Sequence, residues 1–242
     1  MIDRHLELTT RDGQMNTFVT HPEEGGPHPV VFFYMDAPGK REELHDMARR
    51  LGTAGYYVVL PNLYYRSVRE FDYTQGEPAE TRRRMFELMG TLDDGLIASD
   101  TAALFAHVES DPAADAGRIG CVGYCMSGPF AFAMAGTFPE RIRAAASVYG
   151  VRLFGEGSPA HLAPAVRGEL YFACAEHDDY APPAMIDGLS AHLASCGTNA
   201  RVEWYPGVHH GFAFPQRPVY DKAAAERHWE RLHSLFDRNL RR

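Results

Sequence analysis

The chain has no long uncharged apolar run, so no segment offers the roughly 20 consecutive apolar residues that a membrane-spanning helix requires. Its first residues, Met1-Ile2-Asp3-Arg4-His5, lack the basic and apolar regions of a secretory signal, and a cytoplasmic protein is expected. Cysteine is scarce as well. The 4 cysteines, at positions 121, 125, 174 and 196, form no Cys-x-x-Cys pair, which argues against a disulfide framework and for reduced thiols. Basic charge is in the minority: 24 Lys and Arg against 32 Asp and Glu leave a net charge of -8, and the only dense basic run is Arg82-Arg83-Arg84. Nucleic acid and anionic membrane, which select basic patches, are therefore not expected as main partners. Histidine pairs at ligand spacing with acidic neighbours are missing, so neither a metal nor a cofactor is expected.

What remains is the composition of a globular protein, 45% hydrophobic and 23% charged over 242 residues, which suits one domain, 1–242, with a full core. Two periodicities alternate along it. Short β-like runs occupy residues 30–34, 57–60, 119–122, 144–148, 170–174 and 202–205. Between them, residues 42–54, 94–108, 126–136, 183–195 and 220–240 keep apolar residues three and four apart. Strand followed by helix, repeated in this way, predicts an α/β fold with a mostly parallel sheet covered by helices on both faces. Residues 6–9 and 15–20, around the turn signal Asp12-Gly13, predict an antiparallel edge hairpin. The least regular stretch, residues 64–81, reads as an excursion over the C-terminal strand ends, where open α/β sheets bind ligands.

One motif stands out on this frame. Gly123-Tyr124-Cys125-Met126-Ser127-Gly128 lies where a strand pattern turns into a helix pattern. A sharp strand-to-helix turn can hold one residue strained and exposed, provided small residues stand two before and two after it, as Gly123 and Ser127 do around Cys125. The partial positive charge at a helix N-terminus favours the thiolate. A nucleophile of this kind needs an acid and then a base, in that chain order, after later strands. The run ending at Cys174 leads to Asp178 and Asp179, and the run ending near Tyr205 leads to His209 and His210. Read without the rest of the chain, Cys125 is equally a small core residue, or an oxidisable thiol of a redox-responsive binding protein.

Over nearly its whole length the chain resembles the dienelactone hydrolases, a cysteine-nucleophile branch of the α/β-hydrolase fold. The resemblance is carried by Gly-Tyr-Cys-Met-Ser-Gly, by the segment 54–64, by the Asp-x-x-x-Pro turn from Asp178 to Pro182, and by His210-Gly211-Phe212. It implies a carboxylic ester or lactone hydrolase similar to carboxymethylenebutenolidase, with Cys125 as nucleophile, Asp178 as acid and His210 as base. A hydrolase of simple esters or thioesters is the neighbouring alternative. It further implies that Asp36, one methylene shorter than the family's glutamate, gates the resting thiol. The N–H groups of Met126 and Ala37 are the expected oxyanion donors, since Pro38 has none. Arg82 falls on a family arginine that binds the substrate carboxylate, and Phe214 falls where the family has a second one. Tyr34, Tyr64, Tyr65, Trp204 and Phe212 are expected near strand ends and are candidates to line an apolar pocket.

Overall fold

The computed structural model describes residues 1–241, which cluster into two compact units, Met1–Gly117 and the chain from Arg118 onward. In the first unit, β1 (Ile2–Thr10) and β2 (Gly13–His21) form the antiparallel hairpin, in register from Ile2 opposite His21 to Thr10 opposite Gly13. β3 (His28–Tyr34), α1 (Glu42–Thr53), β4 (Tyr57–Pro61), α2 (Pro78–Met89) and α3 (Asp94–Ser110) follow. β4 runs antiparallel to β2 and parallel to β3, giving the order β1-β2-β4-β3. Every residue of β3 and β4 is buried, which is why their sequences are continuous apolar runs without alternation.

Register shows how the two faces are used. Phe18 of β2 stands opposite Leu60 of β4, while Phe32 of β3 pairs with the adjacent residue Val59, so Phe18 and Phe32 point to opposite faces. The Phe18 ring meets His45 of α1 at 4.3 Å, and Phe32 meets Phe105 of α3 at 5.4 Å. Helices therefore cover both faces of this unit. The excursion is irregular over residues 64–77, as expected, and only its last residues, 78–81, open α2, capped by the Glu77 carboxylate, which accepts from the N–H groups of Ala79 and Glu80. Only Thr81, Met85 and Leu88 of α2 are buried, so the apolar period that would have revealed the helix is too thin.

The second unit holds the greater part of β5 (Ala114–Tyr124), with α4 (Gly128–Thr137), β6 (Ile142–Val148), β7 (Glu169–His177), α5 (Pro183–Ser195), β8 (Ala200–His209) and α6 (Lys222–Leu240). Its strands are all parallel, in the order β5-β6-β7-β8. Adjacent residues of β7 again show two covered faces. Phe172 meets Phe132 of α4 at 5.4 Å. Tyr171 shares a 2.7 Å hydrogen bond with Tyr205 on the other face, where Glu203 is held by Arg227 and Arg231 of α6. No described helix is long and apolar enough to cross a membrane. Within this unit Cys125, Asp178 and His210 each follow the last residue of a strand, so parallel pairing delivers all three to the C-terminal edge.

Candidate active site

The elbow after β5 is sterically specified. Cys125 sits at φ 56°, in the left-handed region that a side chain tolerates poorly, and a 3-10 turn, Cys125–Ser127, then feeds α4. A Cβ on Gly123 would lie 2.0 Å from the carbonyl oxygen of Ser127, and one on Gly128 would lie 2.5 Å from Cα of Gly150. Only glycine allows these backbones to pass. The Ser127 hydroxyl ties the turn back, accepting from the Tyr124 N–H at 2.9 Å and donating to the Tyr124 carbonyl at 3.1 Å. The Val151 N–H donates to the Cys125 carbonyl at 3.2 Å. The half-buried Cys125 side chain is thereby presented at a strained position that its surroundings over-determine.

Of the paired candidates for acid and base, the side chains that meet are those of Asp178 and His210. His177 pairs with His209 at the end of β7 and β8, so Asp178 and His210 leave the sheet side by side. Nδ1 of His210 lies 2.7 Å from Oδ2 of Asp178. The other carboxylate oxygen, Oδ1, accepts from the N–H groups of Tyr180 at 2.9 Å and Ala181 at 3.2 Å, so the carboxylate is fixed at both oxygens. Asp179 and His209 are exposed, and His209 packs on the His177 ring instead. Nε2 of His210 is buried and has no hydrogen-bond partner among the described residues. Burial disfavours the charged imidazole, but the hydrogen bond to Asp178 together with the electrostatic influence of Asp178 and Cys125 outweighs it, and the His210 pKa is raised to about 9. Burial pushes the Cys174 thiol up to about 12, with Asp178 adding to it, and burial pushes the Cys121 thiol up as well, which leaves both inert.

Two tyrosines unforeseen in the sequence bracket the imidazole. The Tyr149 ring lies 5.1 Å from that of His210 and the Tyr180 ring 5.0 Å, both edge-on. Tyr149 stands at φ 37°, held by its N–H to the Ala173 carbonyl at 2.7 Å. Its position after β6, beside Gly150, was the available signal. Phe212 and Phe214 are fully buried, Phe212 stacked on Tyr205 and Phe214 packed on Tyr124 and Tyr149. They support the aromatic layer under His210 and offer no open pocket wall.

The remaining expected residues, Trp204 apart, belong to the first unit. Asp36 is fully buried and bound in two-point fashion by Arg41, at 2.5 and 3.3 Å, with Arg41 also held by Glu43 at 2.6 Å. The buried Ala37 accepts at its carbonyl from the Tyr64 hydroxyl at 2.9 Å, which makes Tyr64 a brace of that loop. Arg82 lies on the exposed face of α2 with its guanidinium 5.2 Å from the Phe86 ring. Tyr34 and Tyr65 are spent on hydrogen bonds to Thr101 and to Thr10 and Asp100. Trp204 lines a small cleft of about 270 Å³ with Glu176, Pro183 and Pro206, to which Cys125, Asp178 and His210 contribute nothing. Among the described residues no group of three His, Cys, Asp or Glu side chains is placed to hold a metal ion.

Comparison with known proteins places the chain in a family. The model of the dienelactone hydrolase family matches residues 15–240. A Methylorubrum extorquens protein provisionally named carboxymethylenebutenolidase is 26% identical over 245 residues, 98% of this chain and 81% of that one. Carboxymethylenebutenolidase 1 of Cupriavidus pinatubonensis is 27% identical, over 93% of this chain and 92% of its own. The crystal structure of a provisionally assigned dienelactone hydrolase from Klebsiella pneumoniae superposes with a TM-score of 0.86 at 22% identity, over 97% of this chain and 98% of that one. The fold shared with it is that of the α/β-hydrolases.

Proposed function

Because the chain belongs to the dienelactone hydrolase family and is therefore a hydrolase, we propose that it cleaves carboxylic esters and lactones through a Cys125-His210-Asp178 triad and an acyl-enzyme. The observation that carries this reading is the 2.7 Å contact from Asp178 to Nδ1 of His210, in the same unit as a cysteine held at φ 56° on the elbow. Asp178 fixes the imidazole with Nδ1 protonated, so that Nε2 faces the reaction and the cationic ring is stabilised when it forms. The Cys125 sulfur attacks the carbonyl carbon, its proton having passed to Nε2. Collapse of the tetrahedral adduct expels the alcohol, which takes that proton from Nε2. Water, activated by the neutral imidazole, then attacks the thioester and releases the acid. In a lactone the departing alcohol stays tethered to the acyl group, and ring opening is the result. The Met126 N–H, first in the turn after the nucleophile, is the oxyanion donor proposed within this unit.

The relatives' names point to an unsaturated lactone as one substrate. A cytoplasmic setting is part of the proposal, since the half-buried thiol of Cys125 must stay reduced to act. The test is hydrolysis of an activated aryl ester by Cys125→Ala, His210→Ala and Asp178→Asn. Each is expected to lose several orders of magnitude in kcat while remaining folded, because members of a coupled triad fail together. His209→Ala and Asp179→Asn keep near wild-type rates. A thioester adduct on the peptide containing Cys125, seen by mass spectrometry after rapid quench, identifies the intermediate. An active Cys125→Ala enzyme rejects the proposal.

A further inference from the structure

The acid loop does more than hold Asp178. Tyr180 donates its backbone N–H to Asp178 Oδ1 at 2.9 Å, and Ala181 follows with a second N–H before Pro182 and Pro183 open α5. The same turn that sets the carboxylate on one side of the imidazole therefore carries a tyrosine ring to 5.0 Å from it. Of the two rings that bracket His210, Tyr149 is 1% exposed and Tyr180 is 50% exposed. Only Tyr180 has surface to offer a substrate.

The chemistry decides which part of the substrate meets it. Under the triad reading, on which this inference rests, Nε2 of His210 protonates the departing oxygen and must come within about 3 Å of it. The substituent on that oxygen begins one bond further out, within van der Waals reach of a ring packed against the imidazole. We propose that Tyr180 is the specificity-determining residue of this hydrolase: its half-open ring is the wall against which the departing alcohol packs, and it favours planar aromatic or vinylic leaving groups over aliphatic ones. The turn fixes the backbone of Tyr180 in advance, so little ordering opposes that contact. Aromatic pairs are worth about 0.5–1.5 kcal/mol beyond area, or about two- to tenfold in kcat/KM.

The measurement is the ratio of kcat/KM for phenyl acetate to that for an alkyl acetate whose alcohol is matched to phenol in acidity by fluorination. Wild type, Tyr180→Phe and Tyr180→Ala are compared. The ratio is expected to fall about two- to tenfold in Tyr180→Ala, mostly through KM, and to hold in Tyr180→Phe, with the pH profile of kcat/KM unmoved in both. An unchanged ratio in Tyr180→Ala overturns the proposal. So does an equal loss on both esters with a displaced pH profile, which is the mark of a ring that only positions His210. Cys125→Ala is run alongside: residual wild-type turnover there sinks the triad reading itself, an outcome separate from Cys125-dependent turnover that ignores Tyr180.

Discussion

His210 and Asp36 show how single residues acquire properties that spacing does not reveal. The raised pKa of His210, about 9, arises against burial through the hydrogen bond to Asp178 and the electrostatic influence of Asp178 and Cys125. A group whose pKa rises on folding stabilises the fold fully below its unfolded value of about 6.5, and that contribution disappears as pH climbs through about 9. The melting temperature of wild type should therefore exceed that of His210→Gln most at pH 6 and converge toward it by pH 10. A gap independent of pH would show that no charge is gained on folding. Asp36 was legible as a loop residue at the end of β3, but its partner Arg41 lies five residues on and no periodic rule links them. Removing the carboxylate leaves a guanidinium 21% exposed and still held by Glu43, so Asp36→Ala should cost about 2–3 kcal/mol in urea unfolding, below the roughly 3–5 of a wholly buried pair. Under the gating proposal the same variant is alkylated faster at Cys125 near neutral pH. An unchanged rate leaves Asp36 with the ion pair alone.

Among the elements, the strand-to-helix elbow was readable because its demand is steric and local, and a steric demand is written in small residues. Gly123 and Ser127 flank Cys125 for reasons now visible in the backbone contacts. The sequence also located every strand, though each runs longer than its apolar core, as β7 does by carrying the polar Glu176 and His177 beyond Cys174. Those polar ends are what bring Asp178 and His210 together, and hydrophobicity does not mark them. α2 was missed for the converse reason, since Arg82, Arg83 and Arg84 are exposed and its buried face is three residues. The elbow gives a prediction at this scale. In Gly123→Ala the new Cβ meets backbone 2.0 Å away, which no rotamer can relieve, and the cost should reach or pass the top of the roughly 1–3 kcal/mol typical of overpacking, with esterase activity lost. Gly197→Ala is the comparison: it has φ 66° but nothing within 4 Å, so only backbone strain of about 1–2 kcal/mol applies and activity persists. Equal thermal shifts in the two variants would contradict the close approach at Gly123.

Across the whole molecule the governing quantity is charge. A net charge of -8 acts on an anionic substrate as it nears any face, and in water at ~20 Å eight charges amount to roughly 2 kcal/mol of repulsion without salt. With a Debye length of about 8 Å at physiological salt, most of that disappears. Local cations oppose it. The resemblance to the family supplies two arginines for a substrate carboxylate, but here Arg82 is exposed on α2 and the second position is Phe214, fully buried beneath the guanidinium of Arg217, which lies 5.0 Å from its ring. A carboxylate held by fewer donors than it needs is poorly compensated, so neutral substrates are expected to win. The comparison is the carboxylate-bearing dienelactone against its methyl ester, each at ionic strengths of about 10 mM and about 500 mM, which span Debye lengths of ~30 to ~4 Å. The methyl ester should have the higher kcat/KM at low salt, and the gap should narrow severalfold at high salt as the repulsion is screened. A free acid that is preferred at low salt and loses that preference at high salt would mean that a local cation, Arg217 or Arg82, outweighs the net charge, and the neutral preference would fall with it.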